Sequence, residues 1–147
     1  MSAFRTSKSF MILLLIGIVM NLTACRAFLF DDEVSCDSDQ FYGYVVPVPA
    51  TAIDVQEDCS NGFNPTYIAS FVIPVAELSA FQQSEYFSQI TDWHTTVPDD
   101  SIFKSKNDKT TALLYGHYGD GAINLEVLID MSDPEQYRVY VIATNVD

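Results

Sequence analysis

His94 and His117 are the two histidines of this 147-residue chain, and Cys25, Cys36 and Cys59 its three cysteines. Nucleophilic, acid–base or metal chemistry would draw on these first. His117 with Asp120 is the nearest approach to a catalytic pair, because an imidazole beside a carboxylate can move protons near neutral pH. His117 precedes the turn signal Gly119-Asp120-Gly121 and Asp120 lies within it, however, and a hairpin tip is a poor pocket, so a surface or packed histidine is the better reading of His117. Trp93-His94 reads either as a binding hot spot, where Trp is enriched, or as a ring capping the core. Asp37 and Asp39 form a D-x-D pair, but the Gly and distal Glu of a calcium loop do not follow. Lys104, Lys106 and Lys109 either seat an anion or sit in an exposed loop. Glu77 and Glu85 are eight residues apart, and nothing in the pattern places them in a cleft. No G-x-S-x-G elbow, H-E-x-x-H helix or Walker loop is present. No catalytic residue, metal or cofactor is therefore assigned, and the chain reads as non-enzymatic.

The apolar run Phe10–Met20 follows Arg5 and Lys8 and ends at Leu22-Thr23-Ala24-Cys25. Such a run suits the hydrophobic part of a secretory signal and falls short of the roughly 20 residues that span a bilayer. With its basic start and small-residue end, the segment resembles the lipobox signal of bacterial lipoproteins. The resemblance implies cleavage before Cys25 and a diacylglycerol thioether on its sulfur, with acyl chains holding the protein on a membrane. Arg26, rather than Asp, follows the cysteine, which by the same resemblance points to the outer membrane, facing the periplasm. Once Cys25 is alkylated, Cys36 and Cys59 have one intramolecular pairing, and an oxidising compartment permits it. The organisation expected is a signal peptide over 1–24, a lipid-anchored tether over 25–35 and a single globular domain over 36–147. Ten tether residues reach at most about 35 Å, so the domain sits close to the membrane.

All 20 Asp and Glu lie beyond Cys25, against five basic residues there, Arg26, Lys104, Lys106, Lys109 and Arg138, so the mature chain carries −15 with histidine neutral. This excludes nucleic acid as a natural partner and favours attraction to cationic ones. A hydrophobic content of 48% with 13% aromatic residues argues for a folded core.

The elements must come from pattern. Phe41–Val46 reads as a strand stopped by Pro47 and Pro49, and 51–64 as a loop. Tyr67–Ile73, almost uninterrupted in its apolar character, reads as a strand covered on both faces. Pro74 opens a helix with Val75, Leu78 and Phe81 on one side, and Ser84 opens a short turn bearing Phe87 and Ile90. Residues 95–110 read as a polar loop. The last third alternates: strands over 111–118, Ile123–Met131 and from Tyr137 form a meander, with the hairpin signal at 119–121 and a turn at Ser132-Asp133-Pro134-Glu135. Leu125, Val127 and Ile129 point inward and Asn124, Glu126 and Asp130 to solvent, with Leu128 breaking the rule. The fold expected is α+β: an antiparallel sheet of about five strands, ending in the three-stranded meander, packed against a short helix.

The function expected is a non-enzymatic binding module captured by charge, in the manner of immunity or inhibitor proteins that meet a cationic envelope-acting protein. Asp99, Asp100, Asp120, Asp133 and Glu135, at turns, with Trp93, are the candidate recognition rim. A structural accessory role in an envelope assembly, and an enzyme or small-ligand carrier, remain as alternatives.

Overall fold

The computed structural model describes residues 33–107, 110 and 112–146. The signal segment, Cys25, most of the tether and Lys109 lie outside the described residues. Residues 32–147 make one unit through their own contacts. The elements are β1 (Glu33–Val34), β2 (Ile53–Ser60), β3 (Thr66–Pro74), a 3-10 turn (Val75–Glu77) running into α1 (Leu78–Gln82), β4 (Trp93–His94), a second 3-10 turn (Ile102–Lys106), β5 (Leu113–Gly119), β6 (Ile123–Asp130) and β7 (Gln136–Asn145). The strands form one antiparallel sheet in the order β1-β2-β3-β7-β6-β5-β4. The fold is thus α+β and mostly sheet. It has more strands than the five expected, because two-residue strands flank it at both edges and β2 lies where a loop was expected.

β7 is central because neither face nor edge of it is spare. It carries no Pro or Gly, pairs with β3 on one side and β6 on the other, and alternates side chains of which Val139, Val141 and Ala143 are fully buried. The register stacks one apolar face across the sheet: Ala69 and Val127 both oppose Val141, and Phe71 and Ile129 both oppose Val139. Gly116 lies on this face opposite Val127 and Trp93. A Cβ there would fall 2.6 Å from Ile90 Cγ2 and 3.0 Å from the Trp93 ring, so only glycine lets the indole lie down on the sheet. Trp93 is therefore the half-buried core cap, packed against the main apolar cluster.

Two elements differ from expectation on this side. Residues 41–46 join no strand. They cross the face as a strap held by other groups: Tyr44 N donates to Asn145 Oδ1 at 3.1 Å, and Tyr67 Oη donates to the Val46 carbonyl at 3.0 Å. Val46 is 2% exposed beneath it. Conversely, 53–60 is a strand although its acidic composition reads as loop. Its pairing with β3 supplies what propensity withholds, at the cost of a register shift between Ile53 and Gln56 and a positive φ at Asp54. A Cys36–Cys59 disulfide, with Cα atoms 5.3 Å apart, pins the start of the strap to β2. The helix after Pro74 is present but only five residues long, and it contributes mainly Phe81, stacked edge-on against Phe71 and tilted over Phe87.

The opposite face explains Leu128. The segment expected as a polar loop is not free over residues 95–107: Val97 and Phe103 turn inward and form a second apolar cluster with Leu113, Tyr115 and Leu128. The Asn107 side chain staples the loop, bonding both the Val97 N–H and its carbonyl. Ser101 caps the 3-10 turn by accepting from Phe103 N at 3.1 Å, and Lys106 lies over the Tyr140 ring at 4.4 Å. β6 is thus covered on both faces at Leu128, while β3 is covered on both faces only toward its end: Val72 is buried but Ile68 is 43% exposed.

Candidate functional site

The register of β4, β5 and β6 brings polar side chains together on this second face. His94 opposes Tyr115, and His117 opposes Glu126. Because strand side chains alternate, these four share one side, and the loop carrying Pro98, Asp100 and Ser101 walls them in. The result is an open cleft of about 500 Å³, lined also by Thr91 and Asp92.

Its floor is a hydrogen-bonded group. Ser101 Oγ donates to Glu126 Oε2 at 2.5 Å, and Tyr115 Oη donates to the same oxygen at 3.1 Å. Glu126, expected to point to open solvent, is half buried and anchors the loop to the sheet. His117 Nε2 lies 2.6 Å from Asn124 Oδ1 and does not pair with Asp120. Burial, and then the Glu126 charge, push the Tyr115 phenol up to about 12. On the other face, burial and the Glu57 carboxylate raise the Tyr67 phenol as well. Both must be neutral in the folded chain, whereas the unfolded phenol ionises near pH 10. The stability they contribute is complete below about pH 10 and falls as pH rises toward about 12. Followed by absorbance at 295 nm, part of the tyrosine signal should appear only above pH 10 and together with loss of the fold. A single ionisation step near pH 10 with the fold intact would contradict this.

The cleft is lined by the carboxylates of Asp92, Asp100 and Glu126, and among the described residues no Lys or Arg lines it. Among the described residues no group of three or more His, Cys, Asp or Glu side chains is placed to hold a metal ion. Ser101 is committed to Glu126 and to its own turn, and neither histidine bonds it.

The turn residues expected to form a rim do not make one patch. Asp100 lines the cleft. Asp99 pairs with Lys104 at 3.0 Å. Asp120 closes the β5–β6 turn, accepting from the N–H groups of Ala122 and Ile123 at 2.9 Å each. Those donors hold its carboxyl below the usual carboxylate range, and Gly121 takes the positive φ the turn needs. Asp133 and Glu135 form the β6–β7 turn, where Asp133 Oδ1 accepts from Glu135 N. The two turns lie at opposite ends of β6, roughly 25 Å apart for a strand of that length, and Trp93 belongs to the other face. Asp92, His94, Ser101, Tyr115 and Glu126 were missed as a group. The hairpin at 119–121 carried a usable signal, since a tight turn there sets His117 opposite Glu126.

No family model, curated protein or solved structure matches this chain.

Proposed function

We propose that this chain is a lipid-anchored binding protein of the bacterial cell envelope, held at the outer membrane and facing the periplasm, that captures a basic protein partner by seating one of its Lys or Arg side chains in the β4–β6 cleft. The observation that carries the reading is the cleft's lining: three carboxylates, those of Asp92 and Asp100 exposed, with no Lys or Arg among the described residues that line it. The −15 charge of the mature chain supports it by drawing a cationic partner in from a distance. The Cys36–Cys59 disulfide fits an oxidising compartment, and the lipobox-like Leu22-Thr23-Ala24-Cys25 supplies the anchor. An immunity or inhibitor protein for an envelope-acting toxin or hydrolase is the role this combination suits best.

The anchor has its own test. Cys25→Ala should leave an uncut precursor without lipid, and mass spectrometry of the wild-type N-terminal peptide should find a diacylglycerol thioether on Cys25. A free Cys25 thiol, or a mature chain starting elsewhere, would contradict the anchoring.

For the cleft, the soluble 26–147 chain used as bait in envelope extract should retain a basic protein at low salt and release it at high salt, because exposed charges are screened beyond about 10 Å at 0.1 M. Asp92→Asn with Asp100→Asn should retain much less. Capture of an acidic protein, or retention indifferent to salt and to the double variant, would favour an accessory role in an envelope assembly.

A further inference from the structure

The first face of the molecule carries a second site of different character. Beside α1, the strap residues Pro47, Val48 and Pro49 and the helix residue Ala80 wall an apolar groove of about 390 Å³, floored by Phe81. Glu77 and Glu85 both line it. Eight residues apart in sequence, they come together here because the chain turns back after α1: Ser84 N donates to the Phe81 carbonyl, and Phe87 N to the Ser84 carbonyl. The Thr51 hydroxyl donates to Glu77 Oε2 and fixes that carboxylate in place. Tyr86, also in the lining, is paired with Tyr44 at 5.9 Å between ring centres, so its ring is held beside Glu85. Among the described residues no basic side chain lines the groove.

We infer that this groove binds a small organic cation with an apolar body, such as an ammonium group on a short alkyl or aromatic stem. The apolar walls take the body, whose burial drives binding. The carboxylates of Glu77 and Glu85 and the Tyr86 ring attract the cation, through charge and through the ring's negative face. An anion of the same shape meets two like charges and is rejected. The size is that of small-molecule pockets, which run from about 300 to 1,000 Å³. The site is separate from the β4–β6 cleft, shares no residue with it, and does not depend on the function proposed for it.

The test is calorimetric titration of the 26–147 chain, whose folded unit is complete in itself, with n-octylammonium below its micellar concentration, against 1-octanol and n-octyl sulfate. One saturable site is expected for octylammonium and none for octyl sulfate. Glu85→Gln should weaken octylammonium by about tenfold, and Ala80→Trp should abolish it by filling the groove, with circular dichroism unchanged in both. Asp100→Asn, in the other cleft, should leave it unaltered. Should Glu77→Gln loosen the strap through loss of the Thr51 contact, Glu85→Gln still decides. Equal binding of octanol or octyl sulfate, wild-type affinity in both groove variants, or no binding of octylammonium would overturn the inference.

Discussion

Val127→Asp is expected to leave no folded domain. Val127 is fully buried in the main core, between Gly116 on β5 and Val141 on β7. The carboxylate introduced there would have no basic partner: the nearest neighbours across the sheet are apolar, and Arg138 is engaged with Asp54 elsewhere. An unpaired buried charge costs several kcal/mol, a large share of the 5–15 kcal/mol that typical domains possess. Far-ultraviolet circular dichroism and urea titration should show an unfolded or aggregated chain. The neighbouring Glu126→Ala gives the contrast. Glu126 accepts from Ser101 and Tyr115, so its loss strands two donors and should cost about 1–3 kcal/mol, with the fold retained. A folded Val127→Asp variant would mean that the β6 register is wrong, since a slip of one residue exchanges the two faces, and a silent Glu126→Ala would contradict the anchoring of Ser101 and Tyr115 on its carboxylate.

Removing the disulfide is expected to have the next largest effect. Cys36 and Cys59 are 23 residues apart in sequence, and closing a loop of that size restricts the unfolded chain by roughly 3 kcal/mol. The bond has a second task in the folded chain. The strap over 41–52 is held by few backbone contacts and belongs to no sheet, so Cys36 is its fixed end. Cys59 is 1% exposed, so a serine there also buries a hydroxyl. Cys36→Ser with Cys59→Ser should lower the midpoint of thermal unfolding by roughly 10 °C, and proteolysis should cut first within the strap. An unchanged midpoint, or both thiols free in the wild-type chain under non-reducing digestion, would contradict this.

The meander was legible because β7, and β6 apart from Leu128, keep period two and each turn carries its own signal: Gly121 at one, Asp133 and Pro134 at the other. Leu128 broke the pattern for a reason outside β6. Its cover, Val97 and Phe103, lies in a segment whose polar composition hides two inward side chains. β2 was hidden in the same way by Asp54, Glu57 and Asp58, since a strand whose side chains are mostly exposed needs no apolar alternation and is held by its pairing with β3. The strap was misread in the opposite sense: Phe41–Val46 has strand composition, but Pro47 and Pro49 end it before it can reach a sheet edge. The disulfide followed from the cysteine count once Cys25 was set aside for lipid. The cleft was the least legible part. It needs the β4–β5 and β5–β6 registers together with a loop folded over them, and its histidines lie 23 positions apart in the chain.

Capture of a basic partner through the cleft is best tested by association kinetics. With the partner returned by the envelope extract, the association rate of the 26–147 chain should fall steeply between about 50 and 500 mM salt, because steering by net charge is screened over that range. Asp92→Asn with Asp100→Asn should lower that rate more than it raises dissociation, since both side chains are exposed and exposed charges act mainly on encounter. A rate indifferent to salt, or a double variant that associates as fast as the wild-type chain, would contradict the account.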